Sequence, residues 1–382
     1  MSVYLDHNAT SPLDARVLDA MLPWLRGVQG NPSSVHHPGR AAHTALEVAR
    51  KQVAALINAE ASQVIFTGGG TEADNLALKG VCAGAPRGQL LISAVEHTAV
   101  QGPADALGAD GWQVQRIPVD ATGRVDIKAL DALLMKDVKL VSVMLANNET
   151  GVIQDVKTIA GMVHAHGALM HTDAIQAAGK LPVDFAALGV DLMTLSAHKL
   201  NGPRGIGALV VSKTLTLKPL IDGGGQEHGY RGGTENLAGI VGFGKAAELA
   251  REELDARITH LRTLREQFEK GLVTLPGISI FAQAAERLPN TVQIGVSGFE
   301  GEAMVMELDR LDIAVSSGSA CHSGSGKPSH VLKAMGLDDV TARSAVRISF
   351  GIENTPADVD KLLTALQHIL NSRQTKARAL AW

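Results

Sequence analysis

The chain has 382 residues, of which 45% are hydrophobic and 19% charged, so it can bury a large core and lacks the composition of a disordered protein. Its 35 basic and 39 acidic residues give a formal net charge of −4. Neither sign forms a long run, which argues against the broad positive surface by which proteins bind nucleic acid.

The sequence shows no signal for a membrane or for secretion. No run approaches the roughly 18 apolar residues that a spanning helix needs, and residues 1–6 are not a basic segment followed by an apolar one. We therefore expect a cytoplasmic protein without a membrane partner. The two cysteines, Cys82 and Cys321, lie too far apart for a CxxC metal or redox motif.

Short apolar runs alternate with helical segments from about residue 63 to residue 212. This alternation predicts an α/β fold with a mostly parallel sheet, and the continuously apolar runs indicate strands that are covered on both faces. A helix is predicted over 155–166, ending before Gly167. The predicted strands are 64–66, 90–92, 140–145, 168–170, 191–195 and 207–211.

The pattern changes after a glycine-dense segment at 222–235. One long amphipathic helix is predicted over 236–274, and an α+β region follows Pro276. Its strands are expected near 278–281, 291–296, 312–315 and 345–350, and its helices near 301–310, 329–335 and 356–371. We predict a large domain at 15–255 and a small domain formed by 1–14 and 256–382.

Polar residues follow the predicted strands of the first region. Because ligands of open parallel sheets bind beyond the carboxyl ends of the strands, these residues are the candidate site. The segments concerned are 67–72, 95–97, 147–149, 171–176 and 196–199.

A glycine turn at 68–70 precedes Thr71 and a predicted helix. Backbone N–H groups at a helix start suit a phosphate, although a strand, a glycine turn and a helix also form an ordinary connection. The spacing matches neither a P-loop nor GxGxxG, so nucleotide binding of those kinds is disfavoured.

Lys199 and Asp173 each follow a predicted strand. A partly desolvated lysine can form a Schiff base with a carbonyl, and a carboxylate can keep a pyridine nitrogen protonated. Together with the phosphate turn, this pair predicts a site for pyridoxal 5′-phosphate (PLP).

The chain resembles the cysteine desulfurases of the nitrogen-fixation and iron–sulfur cluster type, within the class-V aminotransferase family of PLP fold-type I. The resemblance covers essentially the whole chain and implies a large domain with a mostly parallel sheet and a smaller α+β domain. It rests on residues 4–10, 30–36, 67–75, 95–97, 146–151, 171–180, 196–199, 232–236, 317–321 and 328–332.

The resemblance implies roles around the cofactor. Lys199 would carry PLP as a Schiff base, Asp173 would pair with the pyridine nitrogen, and Gln176 would reach the phenolic oxygen. His97 would stack on the ring and assist proton transfer. The phosphate would be held by Gly70, Thr71, Ser196 and His198, and by Thr234 from the partner subunit of a homodimer.

The resemblance also implies how the substrate, L-cysteine, is bound. Arg347 would form a forked contact with its α-carboxylate, while Asn8 and Asn148 would line the same pocket, Asn148 also near the cofactor.

Cys321 decides the predicted reaction. It lies in a serine- and glycine-rich segment that is typical of an exposed, mobile loop, whereas Cys82 is interpreted as a helix-packing residue. The Cys321 thiolate would attack the substrate sulfur and become a persulfide, leaving alanine. The sulfur would pass to an acceptor protein such as an iron–sulfur scaffold.

Other interpretations remain open at this stage. An aminotransferase or a selenocysteine lyase would keep Lys199 and Asp173, and a non-catalytic sulfur-carrier partner could keep the fold. A metal site at His164, His166 and His171 is not expected, since the first two are placed at an exposed helix end.

Overall fold

The computed structural model describes residues 2–27, 30–134, 137–318 and 328–380. The strands are β1 Val3–Tyr4, β2 Val64–Thr67, β3 Gln89–Ser93, β4 Gln113–Ile117, β5 Val138–Ser142, β6 Leu169–Asp173, β7 Leu192–Ser196, β8 Gly207–Val211, β9 Ile278–Ile280, β10 Thr291–Val296, β11 Ile313–Ala314, β12 Ser316–Ser317 and β13 Ala345–Ser349. The helices are α1 Ala15–Arg26, α2 His37–Leu56, α3 Gly70–Gly84, α4 Thr98–Ala109, α5 Ile127–Leu133, α6 Val156–Ala165, α7 Phe185–Leu188, α8 Leu237–Glu252, α9 Leu254–Leu272, α10 Gly301–Asp309, α11 His330–Ala334, α12 Asp339–Arg343 and α13 Pro356–Leu380.

A seven-stranded sheet forms the centre of the fold, in the order β2-β8-β7-β6-β5-β3-β4. The pairs among β7, β6, β5, β3 and β4 are parallel, which confirms the predicted α/β architecture. β8 is antiparallel to both neighbours. A parallel return needs a crossover of a dozen or more residues, and the connection from β7 to β8 is shorter than that.

Several strand boundaries differ from the predicted ones. β6 continues to Asp173 and β7 to Ser196, so these two site residues end strands instead of following them. β5 ends at Ser142, three residues before the predicted end. The edge strand β4 was not predicted, because its alternating and partly exposed residues lack a continuous apolar run.

Some helices also differ from the predicted ones. The single helix predicted over 236–274 is two helices, α8 and α9, separated at Glu253 (φ −99°, ψ 5°). The short helix α12 was not predicted, while α6 matches the predicted helix within one residue at each end.

Hydrophobic side chains form separate clusters around the two larger sheets. Val3 and Leu5 pack with residues of α9, β10, α10, β13 and α13 around the four-stranded sheet β12-β13-β10-β9. Both faces of the seven-stranded sheet are covered by other clusters. The domain boundaries at 14/15 and 255/256 stay a prediction. Among the helices of the described residues, none has both the length and the hydrophobicity of a transmembrane segment.

Candidate active site

The carboxyl ends of the parallel strands open into a cavity of about 290 Å³. All of the predicted cofactor and substrate residues except Thr234 line this cavity. They are Asn8, Gly70, Thr71, His97, Asn148, Asp173, Gln176, Ser196, His198, Lys199 and Arg347.

The glycine turn forms one end of the cavity. Gly69 has φ 151° and ψ 174°, a backbone conformation that side chains with a Cβ rarely adopt, and α3 begins directly after it. The first N–H groups of a helix have no intrahelical partners. Thr71 and Ser196 lie at the same end, and the Ser196 Oγ is buried without a hydrogen-bond partner. This end can therefore bind an anionic group.

Lys199 ends a 3-10 turn that follows β7, in the wall of the cavity. Its Nζ donates hydrogen bonds to the backbone oxygens of Asn8 and Ala9, the latter at 2.6 Å. These carbonyls place the amine beside the cavity.

Asp173 is the last residue of β6 and is 4% exposed. Burial raises the pKa of its carboxyl to about 6, against the lowering effects of the Ile175 N–H and the Lys199 cation. A cationic ring nitrogen bound beside it would restore its ionised form, since opposite charges favour ionisation.

Three further buried polar residues, to which the sequence interpretation gave no role at the cofactor, lie near Asp173. His171 Nε2 lies 3.6 Å from Asp74 Oδ1, and its ring also contacts the hydroxyl groups of Ser142 and Thr194. Burial, reinforced by the Asp173 charge, raises the pKa values of Asp74 and Glu96. Asp74 lies on the buried face of α3, and the local sequence of that helix does not predict a buried carboxyl.

His97 caps the start of α4, where its Nδ1 accepts the N–H of Ala99 at 3.1 Å. Burial and the nearby Lys199, His330 and Arg347 lower the pKa of His97 to about 4. The ring is therefore neutral near pH 7, and the acceptor role of Nδ1 assigns its proton to Nε2.

Arg347 lies on β13 and is only 1% exposed, although it lines the cavity. Its Nη2 is 2.6 Å from Asp6 Oδ1, and its Nη1 donates to the backbone oxygen of Asn148 at 3.1 Å. The Nε has no hydrogen-bond partner. The guanidinium is thus fixed from two sides and retains a donor for a carboxylate.

Lys180 is buried, unlike the half-buried Lys199, and the sequence interpretation did not single it out. Its Nζ donates to Gln176 Oε1 at 2.9 Å and to Asn8 Oδ1 at 3.4 Å. The Nε2 of Gln176 in turn donates to the Asn8 backbone oxygen at 2.9 Å. No local pattern distinguishes Lys180 from a surface lysine, because its burial depends on distant segments.

One predicted cofactor residue does not line this cavity. Thr234 is exposed and lines a different cavity, of about 170 Å³, with Gly68 and Arg231. Cys321 falls outside the described residues. Cys82 is buried in the core beside the sheet, and burial raises the pKa of its thiol to about 12, which confirms its packing role.

The sequence analysis predicts no metal centre at His164, His166 and His171. His164 pairs with Asp191 at 2.8 Å, and His166 contacts the backbone oxygen of Met162. Within residues 2–27, 30–134, 137–318 and 328–380, no group of three or more His, Cys, Asp or Glu side chains is arranged to hold a metal ion.

Comparison with known proteins gives a consistent result over nearly the full length. The model of the class-V aminotransferase family matches residues 3–362. A cysteine desulfurase of Cereibacter sphaeroides is 47% identical over 373 residues, which are 97% of this chain and 96% of that protein.

Solved structures agree with this match. One described as a NifS-like protein superimposes with a TM-score of 0.92 at 38% identity and covers 97% of this chain and 100% of its own. Another, described as SspA in complex with cysteine, has a TM-score of 0.81 at 33% identity, with 91% and 99% of the two chains covered. These findings confirm the predicted fold-type I architecture and the resemblance that the sequence motifs carry.

Proposed function

We propose that this chain, which belongs to the class-V aminotransferase family, is a PLP-dependent cysteine desulfurase that converts L-cysteine to L-alanine and carries the released sulfur on Cys321. The observation that carries the proposal is the single cavity in which Lys199, Asp173 and Arg347 meet. A cysteine desulfurase among the relatives and a cysteine complex among the similar structures support the substrate.

The cavity residues fit PLP. The unpartnered Ser196 hydroxyl and the start of α3 would receive the phosphate with Gly70, Thr71 and His198. Asp173, with its raised pKa, would face the ring nitrogen, Gln176 the ring oxygen and His97 the ring face. When bound, PLP supplies an aldehyde that condenses with amines and a cationic ring that withdraws electrons from the substrate.

Lys199 is the proposed base for the proton on the substrate Cα. The carbonyls of Asn8 and Ala9 orient its Nζ, so the amine stays beside the cavity when it is not covalently engaged. Asp173 would keep a proton on the ring nitrogen, and the neutral His97 would donate or accept a proton at Nε2.

Arg347 would bind the substrate carboxylate, with Asn8 and Asn148 beside it. Asp6 and the Asn148 carbonyl hold the guanidinium in place before substrate arrives, which lowers the entropic cost of ordering it on binding. The substrate Cα is thereby directed toward Lys199.

Cys321 is the proposed sulfur acceptor. Its thiolate would attack the substrate sulfur, so that an S–S bond forms on Cys321 as the substrate C–S bond breaks. The persulfide would then pass sulfur to an acceptor such as an iron–sulfur scaffold. The proposal includes a homodimer, in which Thr234 would reach the phosphate of the partner's cofactor. A cytoplasmic location stays a prediction from sequence.

The test is incubation of the purified, PLP-loaded protein with L-cysteine and a thiol reductant, with sulfide and alanine measured together. Equal yields support the desulfurase. Lys199→Ala should abolish both products. Lys157→Ala, which changes an exposed lysine of α6, is the control and should not abolish them. Formation of a keto acid instead of alanine, or activity only with selenocysteine, would contradict the proposal.

A further inference from the structure

Lys180 is buried beneath the candidate cavity at a tightly packed turn. It follows Gly179, whose φ is 74° and whose added Cβ would stand 2.5 Å from the Leu200 Cδ2. The lysine is 7% exposed. A side chain of this kind loses hydration and side-chain entropy on burial, so a compensating interaction is expected.

The hydrogen bonds of Lys180 fix the direction of a neighbouring amide. An ammonium group can only donate, so the Gln176 atom at 2.9 Å must be the oxygen. The amide nitrogen of Gln176 is then turned the other way, where it donates to the Asn8 carbonyl. Gln176 therefore presents an N–H donor, not an oxygen, on the side away from Lys180.

Lys180 donates to the amide oxygens of Asn8 and Gln176, which are neutral and so do not balance its charge. Several basic groups also lie near it. Lys199 and Arg347 repel the ammonium group of Lys180. Its charge in turn contributes to the lowered pKa values of His7 and His198. Arg257 of α9 lines the small cavity of about 30 Å³ that Lys180 shares with Lys199.

This arrangement favours an anion on the cavity side. Burial, with repulsion from Lys199 and Arg347, lowers the pKa of Lys180 to about 7. A negative ligand atom near Gln176 would relieve that repulsion and stabilise the ammonium form. An anionic oxygen bound beside the Gln176 amide nitrogen would therefore be stabilised by the charge of Lys180.

We infer that Lys180 is a positioning residue which, through Gln176, provides the positive charge and the oriented N–H donor that hold the ring oxygen of PLP as an anion. This inference rests on the proposed function. Lys180 would then also affect the bond between Lys199 and the cofactor, because a nearby cation disfavours the protonated form of that linkage.

The test is a spectroscopic pH titration of the PLP-loaded protein, compared with Lys180→Met, Lys180→Gln and Lys180→Arg. Loss of the charge in the Met and Gln variants should raise the titration midpoint by roughly 1 pH unit, and Arg should keep it within a few tenths. The dissociation constant for PLP should rise roughly tenfold in the Met and Gln variants. Lys157→Met, an exposed lysine, is the matched control and should change neither quantity.

The outcomes separate this inference from the proposed function. If borohydride does not fix PLP to Lys199 in the wild type, the proposed function fails. If PLP is fixed there but the Met or Gln variant titrates like the wild type, only the inference about Lys180 is wrong. Failure of all three variants to fold would make Lys180 a structural residue and would equally overturn it.

Discussion

Arg50 and Glu227 form a buried, doubly hydrogen-bonded ion pair, with Nη1–Oε2 at 2.7 Å and Nη2–Oε1 at 2.9 Å. The side chains are 3% and 2% exposed, and Glu227 Oε2 also accepts the N–H of Phe66 in β2. Glu227 has a φ of 47°, which costs conformational energy for a residue with a Cβ. The pair therefore ties the glycine-dense segment, including Arg231 and Thr234, to the central sheet.

Glu227→Gln should lower the free energy of unfolding by about 3 kcal/mol, because it removes the buried counter-charge of Arg50 and leaves only the partly exposed Glu47 at its Nε. Urea denaturation of the PLP-free protein measures this change. Asp105→Asn, which breaks the exposed pair with Arg116, is the control and should alter stability by less than about 1 kcal/mol. Equal effects of the two substitutions would mean that the buried pair does not anchor the segment.

Asp173→Asn should stabilise the PLP-free protein at pH 8. The folded-state pKa of about 6 lies above the ordinary 3.8, so the folded protein binds more protons than the unfolded one between these values. Wild-type stability therefore falls as the pH rises from about 4 to 6 and stays lower above that range. The Asn variant has no carboxyl to ionise, so its free energy of unfolding does not fall in this way. The difference between the two proteins is at most about 3 kcal/mol.

Thermal or urea unfolding at pH 4 and pH 8 checks the Asp173 prediction. The advantage of the Asn variant should vanish near pH 4, and its affinity for PLP should be weaker than that of the wild type. An advantage of the same size at both pH values would show that ionisation of Asp173 is not its cause.

Arg347→Ala should raise the KM for L-cysteine by about 10- to 150-fold, because a hydrogen bond to a charged group contributes about 1.5–3 kcal/mol. PLP retention, followed by absorbance after gel filtration, should change much less. Arg343→Ala removes an exposed arginine of α12 and serves as the control. An unchanged KM together with loss of PLP would assign Arg347 a structural role.

Cys321→Ser should stop sulfide release while leaving the spectral change on adding cysteine intact, since the thiol is proposed to act after substrate binding. Mass spectrometry of the wild type after one turnover should find an added sulfur on Cys321. Cys82→Ala, at a thiol whose pKa burial raises to about 12, should remain active. A sulfur adduct on Cys82, or none during turnover, contradicts the persulfide assignment.

The sequence predicted the elements that depend on local pattern. The central strands have continuous apolar runs, and the polar residues at their ends converge because parallel strands share one edge. Edge strand β4 and the break between α8 and α9 were missed, since an alternating, half-exposed strand and one non-helical residue leave weak local signals. Burial of Asp74 and Lys180 depends on segments far away along the chain, which no local window contains.

The two ends of the chain meet in the candidate site, because Asp6 bonds Arg347 across a sequence separation of 341 residues. During protein synthesis at about 5–20 residues per second, these two residues leave the ribosome roughly 20–70 s apart. Asp6 has no arginine to hold until β13, which carries Arg347, has emerged and paired. A growing chain consequently has no complete candidate site before β13 has emerged.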